Sequence, residues 1–188
     1  MTNYHDVERE RDERRIRAQA LLSSLSEKTR ATFCDKALLN LVDAGWHDER
    51  VWNAKDLNDY ESRFEVAPPD GVHEVFCSFG GLTIGMEGRH IRVGPVAEYD
   101  CPVPVVLGHV VGTRLYLVGE TDFLCDEFLG ILMDECGRVY LDGSTSDIPP
   151  EDRCVGLVAP DFSSFLNAMF SDDLAVLENT PWIPYSAG

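Results

Sequence analysis

The chain has 188 residues, 44% of them hydrophobic, and a formal net charge of −17. That is enough apolar material for one domain with its own core, and too much for wholesale disorder. Residues 1–30 hold six acids and seven bases, whereas the remainder holds 27 acids against nine bases; such a body repels nucleic acid and anionic membranes and attracts a basic partner, or is simply a hydrated acidic surface.

The first predicted element runs from Tyr4 to about Leu25. It is dense in Arg and Glu, with Glu10–Arg14 and Glu13–Arg17 at the i, i+4 spacing that supports an exposed helix. Ile16, Ala20, Leu21 and Leu25 form its short apolar stripe. A second helix is predicted over Thr32–Ala44, with Phe33, Ala37, Leu38, Leu41 and Val42 facing a core, Gly45 as its stop and Trp46 pinning the corner. A third covers Asp56–Glu65, with Asn53 as a cap, and Pro68 and Pro69 follow it. In the fourth, Val72, Val75, Phe76 and Phe79 fall at i, i+3, i+4 and i+7 before Gly80 and Gly81 end it.

From there the pattern becomes short β segments. Leu82–Met86 and Ile91–Val93 flank a turn at Glu87-Gly88, and the valine-rich run Val103–Val111 and Arg114–Val118 are the next expected strands. Phe128–Met133 and Arg138–Leu141 read as a hairpin around Asp134-Glu135-Cys136-Gly137, and Val155–Ala159 is a further apolar run. A final helix starts near Asp161 with Phe162, Phe165, Leu166, Met169 and Phe170 on one side. Helices, then consecutive strands, then a helix predict an α+β fold: a twisted, mainly antiparallel sheet packed by N-terminal helices and a C-terminal helix. The expected organisation is a charged helix at 1–30, the α+β domain at 31–178 and a tail at 179–188.

No segment approaches the roughly 20 apolar residues of a membrane helix, and the charged N-terminus does not read as a signal peptide, so a cytoplasmic protein is expected. The six cysteines are dispersed, without a closely spaced pair, which fits reduced thiols and neither a disulfide framework nor zinc. Nucleotide-loop, zinc-protease and hydrolase motifs are missing. His109, set in the apolar run Val103–Val111, is expected as a hydrogen-bonded sheet histidine; a dyad with Cys101 or Cys125 is the catalytic alternative. Asp134 is expected to accept backbone hydrogen bonds in its turn rather than to bind a metal. Asp122 to Asp152 contains nine acids and one base, Arg138.

Four motifs occur in order: Ala44-Gly45-Trp46-His47 followed by Arg50-Val51; Phe76 through Phe79-Gly80-Gly81-Leu82; Arg114-Leu115-Tyr116-Leu117-Val118-Gly119-Glu120; and Ile131 to Tyr140 with its Asp-Glu-Cys-Gly-Arg-Val-Tyr segment. Together they resemble the SUKH superfamily of immunity proteins, closest to its SUKH-3 group, over roughly residues 33–170. The resemblance implies an α+β fold and a role in bacterial polymorphic-toxin immunity, in which the protein binds a cognate toxin domain and blocks it, without catalysis or cofactor. Nucleases and nucleic-acid deaminases are prominent among such toxins, and an enzyme that grips phosphates presents a basic cleft. The motif glycines and Trp46 read as fold determinants, so they are not carried over as binding residues. The candidate toxin-binding residues are Asp122, Asp126, Glu127, Asp142, Asp147, Glu151 and Asp152. Two alternatives stand beside this reading: a SUKH-type regulatory scaffold for a cellular or viral partner, and a hydrolase using His109 or Asp134.

Overall fold

A computed structural model describes residues 13, 16, 18–52, 67–86, 89–94, 103–122, 129–143, 154–171 and 180–184. The predicted helix at Asp56–Glu65 lies outside them, as does its cap Asn53. Seven strands form an open antiparallel sheet in sequence order: β1 (Thr83–Met86), β2 (Arg89–Val93), β3 (Leu115–Thr121), β4 (Leu129–Asp134), β5 (Val139–Asp142), β6 (Cys154–Ala159) and β7 (Trp182–Pro184). The helices are α1 (Glu27–Thr32), α2 (Asp35–Asp43), α3 (Asp70–Phe79), α4 (Val103–Val111) and α5 (Phe162–Phe170). The α+β architecture expected from the element order is therefore present.

One face of the sheet packs against α2, α3 and α5. Ile84, Ile91, Val93, Tyr116, Val118, Ile131, Met133, Val139 and Leu141 meet the helical residues Leu38, Leu41, Phe76, Phe165 and Met169 in a single apolar cluster. Trp46 sits at its corner as expected: its indole stacks on Phe79 at 6.0 Å, and Phe33 meets it edge-on at 5.9 Å. Among the described residues the buried indole N–H has no hydrogen-bond acceptor, so shape and stacking hold the ring.

The Gly-Gly that ends α3 has a second reason beyond stopping a helix. A Cβ on Gly80 would stand 2.3 Å from the Trp52 ring, and Gly81 has φ +74 with Trp52 Nε1 2.8 Å from its Cβ position. Trp52 thus lies on bare backbone. Arg50 beside it donates to the carbonyls of Ser78 (3.3 Å) and Gly80 (2.6 Å), which are left over at the end of α3. The first two sequence motifs, some 30 residues apart, are one corner.

Three boundaries differ from expectation. The helix predicted over Thr32–Ala44 is α2, which starts later, at Asp35, because a separate helix α1 ends at Thr32 and the chain breaks at Phe33-Cys34 between them. Asn167 of α5 reaches into that break, accepting from the Cys34 N–H (2.7 Å) and donating to the Thr32 carbonyl (2.8 Å), which satisfies backbone groups that an unbroken helix would have paired internally. In the N-terminal helical segment, Ala18, Leu22 and Leu25 make the contact, whereas Ile16 and Leu21 are exposed.

The third difference is the largest. Val103–Val111 is a helix and not a strand. β-Branched residues favour strands, but tertiary contact overrides that preference, and a short apolar run cannot be assigned by periodicity alone. Pro104 falls in the first turn, where its missing N–H costs nothing, and Gly112 at φ +72 closes the end. α4 covers part of the opposite face of the sheet: Leu107, with Val110 and Val111 beside it, packs on Leu115, Leu117, Leu132, Tyr140 and Val155.

Candidate functional site: the acidic end of the sheet

Strand register decides where the candidate acids go. In an antiparallel meander alternate connections emerge at the same end. The β1–β2, β3–β4 and β5–β6 connections therefore leave one end of the sheet, and the β4–β5 turn leaves the other. Asp122 follows β3 and Asp142 ends β5 at that first end. Asp126, Glu127, Asp147, Glu151 and Asp152 lie outside the described residues, in the connections 123–128 and 144–153 that join these strand ends. Among the described acids between Asp122 and Asp152, Asp134 and Glu135 lie at the far end, and the single base Arg138 lies with them. The two described candidates thus share one end, and the connections that hold the other five in sequence begin and end there.

At the far end Asp134 is fully engaged. Its Oδ1 accepts from the backbone N–H groups of Cys136 and Arg138, both at 2.9 Å. Its Oδ2 accepts from Arg138 Nε at 2.6 Å and from the Tyr140 hydroxyl at 3.1 Å. Gly137 at φ +84 lets the chain return. This is the turn role expected for Asp134. Burial, with the Asp134 charge second, pushes the Tyr140 phenol up to about 12.

Two cross-strand pairs lie on the α4 side of the sheet at the acidic end. Arg92 faces Glu120 and bonds it through Nη1, and Glu120 is 4% exposed. His90 faces Asp122: its backbone N–H donates to Oδ1, and Nδ1 lies 3.0 Å from Oδ2. The His90 carbonyl in turn accepts from the Thr121 hydroxyl (2.8 Å) and the Asp122 N–H (3.3 Å). Partial burial raises the Asp122 carboxyl, but the hydrogen bonds from His90 outweigh it and hold the group below the usual carboxylate range.

The row continues from Glu120 across Gly130 to Asp142 and then to Val155. Glu120 and Asp142 therefore stand two strand spacings apart, about 10 Å, with no side chain between them. Asp142 is 0% exposed, so this candidate does not offer its carboxylate on an outer surface. Burial, and then the charge of Asp142, push the Cys154 thiol up. Of the two described candidates, one is tied to His90 and the other is internal. The Asp122 charge still adds to the negative field at this end.

Gly119, in the Val118-Gly119-Glu120 step, is the bulge that sets this row. The β3–β4 register shifts between Leu117 and Gly119, and a Cβ there would stand 2.2 Å from the Arg92 carbonyl oxygen. The cross-strand partners His90 and Arg92 were not legible as site residues, because pairing depends on register. The only sequence signal was the opposite charge sign of Arg92 and Glu120.

The strand placement expected for His109 is corrected. His109 is an exposed side chain on α4, not a sheet residue, because its segment is helical; Cys101 and Cys125 lie outside the described residues. Cys77 and His73 do approach on α3, with the sulfur 3.5 Å from Nδ1 and 3.9 Å from Nε2. Near-equal distances put the sulfur across the ring rather than in line with one nitrogen, which is not the geometry of an imidazole drawing off a thiol proton. Among the described residues no group of three or more His, Cys, Asp or Glu could hold a metal ion, and no helix is long and apolar enough to cross a membrane. Compared with protein-family models, with curated proteins and with solved structures, the chain finds no match.

Proposed function

We propose that the protein is a cytoplasmic bacterial immunity protein of SUKH type. It binds a cognate, basic toxin domain, a nuclease or nucleic-acid deaminase, and neutralises it through the acidic end of the sheet, without catalysis or cofactor. The observation that carries the reading is that the two connections holding five of the candidate acids in sequence join strand ends at one end of the sheet, where Asp122 and Asp142 also lie, while the one intervening base, Arg138, lies at the other. Such a field accelerates encounter with a phosphate-gripping enzyme and competes for the same basic cleft. The ordered motifs support it as well, since each behaves as a fold determinant of an α+β domain. Asp126, Glu127, Asp147, Glu151 and Asp152 are the contact candidates; Asp122 and Asp142 anchor the strand ends, and Asp122 supplies charge.

Co-expression with basic nuclease and deaminase toxin domains tests the proposal. Rescue of growth with recovery of a one-to-one complex is the expected result. Failure of both, with each protein folded, sinks it and moves the reading to a scaffold for another partner.

A further inference from the structure

Residues 18–32, which precede the break at Phe33-Cys34, are fastened differently from the rest of the domain. Ala18 and Leu25 are the buried side chains of this stretch, Leu22 and Thr29 are half-buried, and all the others are exposed. α1 itself has no buried residue, whereas α2, next along the chain, buries Ala37, Leu38, Leu41 and Val42. Apolar burial is what offsets the entropy of ordering a chain, so the stretch before the break is held less firmly than the one after it.

Polar side chains supply the rest. Asp48, in the turn after α2, accepts from the Ser26 N–H at 2.6 Å and from the Thr29 hydroxyl. The Thr29 bond first, and then the Ser26 bond, hold the Asp48 carboxyl below the usual carboxylate range. At the other end of α1, Asn167 holds the Thr32 carbonyl and the Cys34 N–H. Phe33 (φ −111, ψ 144) and Cys34 (φ −69, ψ 158) are both extended, so they can turn without breaking a helix on either side. The anchored part begins at Phe33, whose ring meets Trp46 at 5.9 Å and Phe79 at 6.4 Å.

We propose that residues 18–32 are a detachable strap: they swing away as one unit about Phe33-Cys34, released from the polar latches Asp48 and Asn167, while α2, α3, α5 and the sheet stay folded. The two parts open separately because different forces hold them. Asp48 is exposed, so water takes over its bonds to Ser26 and Thr29 as the strap lifts. Water offers no such replacement for the buried apolar contacts of Phe33, Trp46 and Phe79. Opening makes Ala18, Leu22 and Leu25 accessible together with the already exposed Leu21 and uncovers the apolar residues beneath them.

The test is native-state hydrogen exchange of the full chain in low concentrations of urea, for wild type, Asp48→Ala, Glu49→Ala and Leu107→Ala. In wild type the hydrogen-bonded amides of 18–32 should exchange through one opening with a small urea dependence, well ahead of those of α2 and β4, which wait for an opening that exposes far more surface. Asp48→Ala should speed the strap amides about tenfold. Glu49→Ala, one residue on, should leave them at the wild-type rate. Leu107→Ala weakens the domain on the other face of the sheet, so it should speed α2 and β4 and not the strap, because Leu107 is still packed when the strap alone has opened. If Leu107→Ala is too unstable to measure, Leu107→Val gives the same readout. Strap amides that exchange only together with α2, that speed up as much as α2 in the Leu107 variant, or that ignore Asp48→Ala would overturn the proposal.

Discussion

The two faces of the sheet are built on different terms. The first is covered by α2, α3 and α5 and held by an aromatic corner of Phe33, Trp46, Phe79 and Phe162. Among the described residues the second has one helix, α4, over its middle; toward one end its side chains become Arg92, Glu120, Asp122 and His90, and toward β7 they become the exposed Leu157 and Ile183. A face covered by three helices is free to be apolar beneath them. A face that is covered in part must satisfy its polar groups in pairs where they are buried, and it leaves apolar ones exposed where they are not.

The largest effects are expected on the first face. Trp46→Ala should lower stability by about 3–5 kcal/mol. Trp46→Phe should cost about 1.5 kcal/mol or less, because it removes, along with the extra ring, a buried donor that has no acceptor among the described residues. Urea denaturation of both variants separates packing from hydrogen bonding at this corner; equal losses would mean that the indole N–H is satisfied after all.

Leu107→Ala comes next, at about 2–5 kcal/mol. Leu107 is fully buried against the second face, so a loss below about 1 kcal/mol would remove α4 from the core and make the sheet one-sided.

Asp134→Asn should cost about 1–3 kcal/mol, since it weakens charge-assisted bonds to two backbone N–H groups, Arg138 and Tyr140. It also has a spectroscopic signature. Tyr140 is raised above its unfolded value near 10, so its contribution to stability is complete below about pH 10 and is lost as pH rises toward 12. Ultraviolet titration of the variant should show one phenol ionising at lower pH than in the wild type. An unshifted titration would disconnect Tyr140 from Asp134.

The smallest effect belongs to Asp122→Asn. The Asp122 carboxyl is lowered in the folded protein, so its stabilisation is present above the unfolded value of about 3.9 and disappears as pH falls below it. Wild type and variant should differ in melting temperature at neutral pH and converge as pH falls through the lowered pKa of the Asp122 carboxyl. A constant difference would mean that the His90 contact does not depend on the charge.

Much of the first face was legible, because helical periodicity marks α3 and α5 directly and Gly45-Trp46 marks the corner. The second face was not, and the reason lies in β3, β4 and β5. All three are buried along their whole length, and their sequences lack the alternation of a sheet with one wet side. That pattern requires a cover on both faces. Read with this in mind, Val103–Val111 is the cover rather than another strand. The acids themselves were legible as a run, but their separation into two ends follows from register, and register follows from bulges at Gly119 and Val139/Tyr140 that composition does not announce. Asp142 looked like a loop acid for the same reason; it is the last residue of β5 and faces inward.

Hydrogen–deuterium exchange of the protein with and without its toxin domain tests the division between the faces most directly. Protection should gather at the acidic end, in residues 122–128 and 143–153, while α2, α3 and α5 exchange as in the free protein. Protection centred on those three helices instead, with the acidic end unchanged, would contradict the account.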